Sequence, residues 1–421
     1  MSNLNEKNEP IATERHNNGN DKSSNGKSGN IRLMIAVLLI PWLSVAGIPI
    51  ISALQNIATA LDIPENTVKL LITMPNLTMI VSCLAGGIVV GRRLSYKPHM
   101  IIASIIMVIS GTAPFFMADF TIILVMRGIF GLGLGFMTPV ISSVVYRLYP
   151  EEERAKIIGL SSASMFTSSV LYTLLGGYLG SYSWQHVFLI HIAGLIPLIV
   201  VLPLLPKLRK EGAGANKDAD LPKQGIFTRM PPKCLLFIIL NFVFQMLSFP
   251  ILVNVSFILA ELGIESSSTA SILLTINTVA SAIAGLAFGF IAKAFRRFAL
   301  PLSLGVSAVG MVVAALSESY ALLLIGTSLG SAGTAIMGTA LLLEAGFYVK
   351  RENIGLFSGV NMAASCIGGF CMTAYTGLLA RFGLVSSRSP LMVSGIGVAV
   401  LLIIMLAYAI ISINLRKKDL V

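Results

Sequence analysis

Arg127 is the one charge in the run LVMRGIFGLGLGFMTPV, residues 124 to 140. A guanidinium offers a fork of donors that matches a carboxylate. It lies eight residues into an apolar block that starts near residue 120, about 12 Å deep at a rise of 1.5 Å per residue. An arginine at the centre of a membrane helix costs about 2.5 to 3.5 kcal/mol on insertion scales, so this one is expected to face a wet cavity or a partner rather than lipid. Helical spacing places Arg127, Gly131, Leu134 and Thr138 on one stripe. Either Arg127 anchors a substrate carboxylate, or it is a structural charge that snorkels outward or bonds carbonyls freed around Pro139 and the glycines.

Other side chains suited to proton or ligand chemistry sit in similar runs. Glu344 shares a stripe with Thr334, Met337 and Leu341, and is either a proton site or half of a salt bridge to Lys350, six residues on. His191, five residues beyond His186, either relays protons or is a hydrogen-bonded packing residue. Asn241, Gln245 and Ser248 fall on one face at i, i+4 and i+7, with Phe244 and Phe249 beside them; they either bind substrate or hold helices together. Trp42, Met126, Phe130, Met137 and Met337 are candidates for an adaptable apolar lining. The GLGLG at 131 to 135 lacks the preceding strand of a phosphate loop. It reads instead as small-residue helix packing, as do Gly176/Gly180 and Gly285/Gly289. No metal-ligand cluster and no Ser/His/Asp arrangement suggests an enzyme.

The elements that must position these residues are long apolar helices. The chain is 55% hydrophobic and 12% charged over 421 residues, with a mean hydropathy of +0.84, far from the composition of a soluble domain. Twelve blocks are long enough to span a bilayer: 31–54, 66–90, 99–118, 120–146, 156–180, 186–206, 233–260, 267–292, 298–317, 320–347, 353–379 and 390–413. Backbone amides inside lipid must be satisfied within the segment, so an all-α membrane protein is expected. Of the 30 Lys and Arg, 26 fall on the side shared by the two termini, which makes that side cytoplasmic. Residues 1–30 read as a disordered cytoplasmic tail and 415–421 as a short one. The charged, Gly- and Pro-containing stretch 207–232 reads as a cytoplasmic linker, which divides the blocks into bundles 31–206 and 233–414. Cys83, Cys234, Cys366 and Cys371 read as small apolar packing residues.

The two halves also echo each other. GIVVGRRLSYK begins at Gly87 and GFIAKAFRRF at Gly289; RAKIIGLSS begins at Arg154 and KRENIGLFS at Lys350. Two loop matches at similar offsets imply a doubled unit. Here the chain resembles the major facilitator superfamily, whose loop signature runs G-x-L-A-D-R-x-G-R-R. Gly87, Arg92 and Arg93, with Gly289, Arg296 and Arg297 in the second half, stand on or beside it as a gating-loop motif. Arg127, Gly131 and Pro139, followed by the Tyr149 to Arg154 turn, resemble the drug and proton antiporter branch. The signature's acid is Gly91 in one half and Lys293 in the other. The branch's fifth-helix pattern survives only as Gly176 and Gly177.

The resemblance implies two six-helix bundles related by a pseudo-two-fold axis around a central cavity lined by spans 1, 4, 7 and 10, with alternating access between the bundles. It implies a secondary transporter exporting small amphiphilic, drug-like compounds, coupled to protons through Arg127, Glu344 or His191. The other reading is an organic-anion transporter, uniport or symport, in which Arg127 holds the substrate. Substrate contacts are then expected at Arg127, Trp42, Phe130, Asn241, Phe244, Gln245 and Met337. The expected partners are a small molecule, the lipid bilayer and, on the first reading, protons. Nucleic acid, metals and cofactors are not expected, and a monomer in a bacterial cytoplasmic membrane is.

Overall fold

A computed structural model describes residues 23–44, 49–89, 94–206, 232–346, 348 and 354–418. Helix covers each of the twelve apolar blocks within them. The first segment is broken: Ser23–Leu39 tightens into Ile40–Ser44, and Pro49–Ala53 leads into Leu54–Leu61. The second is Leu70–Val89 behind a short turn, Glu65–Val68. The third is Tyr96–Thr112, the fourth Phe120–Leu148 and the fifth Glu151–Gly180. The sixth runs through Trp184–Leu189 and Ile190–Ala193 to Leu195–Leu204. The seventh is Pro232–Ser248, continued by Pro250–Val253 and Val255–Glu261. The eighth is Ser267–Phe295, the ninth Ala299–Ala315, the tenth Tyr320–Gly346, the eleventh Ile354–Arg381 and the twelfth Ser389–Lys418. Among the described residues eight helices are long and apolar enough to cross a membrane unaided, and the chain is a multi-pass membrane protein.

The first helix starts at Ser23, upstream of the apolar block expected from residue 31. Once the apolar turns are formed, adding residues to a helix end costs far less than nucleating one. The linker expected over 207–232 lies almost wholly outside the described residues, as does the tail before residue 23.

Both halves pack alike. The second and third segments lie against the fourth as the eighth and ninth lie against the tenth; the first meets the sixth as the seventh meets the twelfth. Small residues set the closest of these approaches. A Cβ on Gly131 would meet the Thr78 hydroxyl and the Pro75 carbonyl, and one on Gly135 would meet Ser82 and the Met79 carbonyl. In the second half, Gly310 and Gly326 bring the ninth and tenth segments to backbone contact. Gly285 and Gly289 do not behave as expected: a Cβ at either would find open space. Gly285 lines a cavity instead, so its small size opens volume rather than closing a helix pair.

The halves meet where the second segment packs on the eleventh and the fifth on the eighth. Among the described residues, the hydrogen bonds across them gather at the end of the bundle remote from the termini, here called the distal end. Asn56 donates to Ser267 at 2.9 Å, Thr73 and Thr373 share a hydrogen bond of 2.9 Å, and Ser268 donates to the Gly177 carbonyl at 3.3 Å. At the tips of the seventh and eleventh segments Gly263 (φ 77°) and Gly383 (φ 82°) adopt the left-handed conformation that ends each helix and turns the chain.

Candidate functional site

A cavity of about 710 Å³ lies between the fifth and eighth segments, with the tenth as a third wall. Met165, Phe166, Val170 and Leu171 face Val279, Ile283 and Leu286 across it, and none of its lining residues is charged. Hydroxyls are interleaved with the apolar side chains. Thr167, Thr278, Ser281 and Thr339 each donate to a carbonyl of their own helix, at 3.1, 2.9, 2.9 and 3.2 Å. Their protons are thereby committed, so these hydroxyls turn lone pairs toward the cavity. The volume falls in the range of small-molecule sites. Such a wall suits an apolar body carrying a few N–H or O–H donors, and offers no counter-charge to an anion.

The residues expected to bind substrate lie elsewhere. Arg127 is 2% exposed and donates from Nε to the Leu71 carbonyl at 2.8 Å, with its guanidinium 4.7 Å from the centre of the Phe130 ring. It therefore bridges the fourth segment to the second, the partner-facing alternative of the two expected of it, and it is not among the residues that line this cavity. The stripe it shares with Gly131 is the stripe that lets the second segment come close. Phe130 is buried against the His191 ring, 5.0 Å away, inside the first half. Trp42 donates to Ser164 at 2.8 Å, and Ser164 donates to the Leu38 carbonyl at 2.6 Å, which joins the first segment to the fifth.

Asn241 likewise joins helices. Its amide donates to the Asn361 carbonyl and the Ser365 hydroxyl, at 3.0 and 2.7 Å, clamping the seventh segment to the eleventh. Gln245 lies on the same seam beside Gly368, and Phe244 is buried in the core. Met337 receives the Ser303 hydroxyl at 3.5 Å and so faces the ninth segment. In each case a polar or polarisable group buried between helices takes the partner that packing brings nearest, because an unpartnered one is costly in this environment.

The proton candidates separate too. His191 is fully buried, with Nδ1 bonded to the Phe188 carbonyl at 2.8 Å. Glu344, 8% exposed, borders a small void with Arg297, Leu300 and Tyr408, and Tyr408 is bonded to Tyr348 at 3.1 Å. Of the gating-loop residues, Arg297 thus lines the same small void as a buried carboxylate. Arg92 and Arg93 lie outside the described residues, as do Lys350 and the surroundings of Gly87 and Arg296; Gly289 is exposed.

Two groups escaped the sequence reading. One is the hydroxyl-studded wall of the fifth and eighth segments. The other is Lys69, 2% exposed at the distal end, its Nζ 3.6 Å from Glu65 and 4.9 Å from the centre of the Phe257 ring in the other half. The spacing of Glu65 and Lys69, four apart at the start of the second segment, is the signal that marks them as a pair.

A model described as the Major Facilitator Superfamily matches residues 33–258. The chain is 28% identical over 178 residues to the multidrug transporter protein MdtP of Bacillus subtilis, covering 42% of this chain and 31% of that protein. It is 24% identical over 241 residues to a probable sugar efflux transporter of Mannheimia succiniciproducens, covering 56% of this chain and 59% of that one. The chain thus spans less than two thirds of either relative. Among solved structures it resembles a bacterial homolog of the human lysosomal transporter Spinster, with a TM-score of 0.72 at 16% identity over 93% of this chain and 98% of that one. The nucleoside transporter NupG gives 0.72 at 14% identity, over 90% and 99%. At these identities the structural likeness is one of fold.

Proposed function

This chain belongs to the Major Facilitator Superfamily, and from that premise we propose that it exports small amphiphilic organic compounds by alternating access, driven by protons. The observation that carries this reading is the uncharged, hydroxyl-studded cavity between the fifth and eighth segments. Its walls favour an apolar body with donor groups. The partial likeness to a multidrug transporter points the same way. For proton coupling we assign Glu344, the carboxylate buried within a segment among the described residues. We place the protein in a bacterial cytoplasmic membrane with both termini inside, following the basic residues of the connecting loops.

The organic-anion reading draws less support, because the Arg127 guanidinium is bonded to the second segment rather than turned to the cavity. A screen of thermal unfolding on the purified protein tests the proposal. A ligand that binds only the folded state stabilises it by about 2.7 kcal/mol at a hundred times its Kd. Neutral and cationic amphiphiles should raise the midpoint in the parent and fail to do so in Ala282→Trp, which fills the cavity. Stabilisation by carboxylates alone, or an undiminished response in Ala282→Trp, would overturn it.

A further inference from the structure

The distal end carries a charge cluster drawn from both halves. Glu65 and Lys69 come from the first half; Phe257, Glu261, Ser387 and Arg388 come from the second. Arg388 donates from Nε to Glu261 at 3.0 Å, and the Ser387 backbone N–H donates to the other oxygen of that carboxylate at 3.0 Å. The Ser387 hydroxyl reaches across to Glu65, at 3.0 and 3.2 Å from its two oxygens. Lys69 is the buried member: its ammonium rests on the Phe257 face beside Glu65, and Ser387 ties that carboxylate to Glu261 of the second half. These contacts extend the bonds from Asn56 to Ser267 and from Thr73 to Thr373, so the cluster sits on the closed seam between the halves.

We propose that Lys69 is the positioning residue of the distal gate, an ammonium that the second half must hold for the gate to stay shut and that water takes over when the halves part. When the halves separate, Lys69 keeps Glu65, which belongs to its own helix, and loses Phe257 and Glu261. Burying an ammonium is costly, and what offsets that cost is a full set of partners. Removing a partner in the second half therefore leaves an under-compensated buried charge, which is relieved by opening. Removing the charge itself abolishes that drive. The sign of a mutation at Glu261 thus depends on whether the lysine is present, a coupling that an ordinary packing contact would not show.

The inference rests on the family's rocking of two halves, and its test uses no substrate, so it fails independently of the cavity reading. With the four native cysteines replaced by alanine, Ser271→Cys is the reporter, since Ser271 is buried against Gly177 across the seam. Labelling by a maleimide is timed on the purified protein. Glu261→Gln should speed it about tenfold, Lys69→Met should leave it at or below the parent rate, and the double variant should match Lys69→Met. A second reporter, Ser303→Cys, buried between the ninth and tenth segments, should stay unlabelled throughout. An equal acceleration by Glu261→Gln with methionine at position 69, no acceleration at all, or parallel labelling of both reporters would overturn the assignment.

Discussion

Arg127 donates to the carbonyl of Leu71 at 2.8 Å, tying the charge of the fourth segment to the backbone of the second. A hydrogen bond from a charged donor contributes about 1.5 to 3 kcal/mol, and the carbonyl is left unsatisfied when the donor goes. Arg127→Met should therefore lower unfolding stability by about that much in detergent. Ligand affinity at the cavity should stay within about twofold, because the cavity's lining residues do not include it. Denaturant unfolding and ligand titration on the same preparation check both. A large loss of affinity without loss of stability would return Arg127 to the substrate path.

Two glycines predict opposite readouts for the same substitution. A Cβ on Gly131 would strike Pro75 and Thr78 within the first half, where the helices cannot part without unfolding. Overpacking of this kind costs about 1 to 3 kcal/mol. Gly177 faces Ser271 and the Ser267 carbonyl across the seam between halves, where the strain is released by opening. Gly131→Ala should lower the unfolding midpoint and leave the gate shut. Gly177→Ala should spare the midpoint and widen the distal end, measured as a longer spin-label distance between the second and eleventh segments. Equal losses of stability in both would show that the seam is as rigid as the interior of either half.

The apolar runs make the helices legible, because an inserted chain has few other ways to satisfy its backbone. The loop echoes at Gly87 and Gly289 made the doubling legible as well. Burial of Arg127 could be read from the cost of exposing it, yet its direction could not. A helical stripe names the residues that share a face without naming the neighbour that covers it, and here the neighbour is the second segment, admitted by Gly131 and Gly135. Asn241, Trp42 and Met337 carry the same ambiguity, since side chains that join helices and side chains that bind ligand have one pattern. The cavity wall was overlooked because Thr278 and Ser281 look like ordinary intrahelical hydroxyls, and by their bonds they are. Lys69 was missed because a lysine at a segment end reads as surface, and its burial depends on Phe257, distant in sequence.

Glu344 is buried beside Arg297 and Tyr408 at the end of the tenth segment nearer the termini. Glu344→Gln keeps the shape of the side chain while removing its charge and its capacity to carry a proton. If Glu344 moves the coupling proton, the variant should lose substrate accumulation driven by a pH gradient in liposomes and retain exchange of labelled for unlabelled substrate at equal pH. The loss of driven transport should be at least about tenfold, as expected when the protonatable group of a coupled carrier is removed. A purely structural carboxylate gives a different pattern: removing one partner of a buried charge pair is strongly destabilising, by about 3 to 5 kcal/mol, so exchange and driven transport would fall together with the unfolding midpoint. Glu344→Asp separates the two further, since it retains the proton site but shortens its reach. Driven transport preserved in Glu344→Asp and lost in Glu344→Gln, at matched stability, is the expected result; matched losses in both would reassign Glu344 to holding the eighth-to-ninth turn through Arg297.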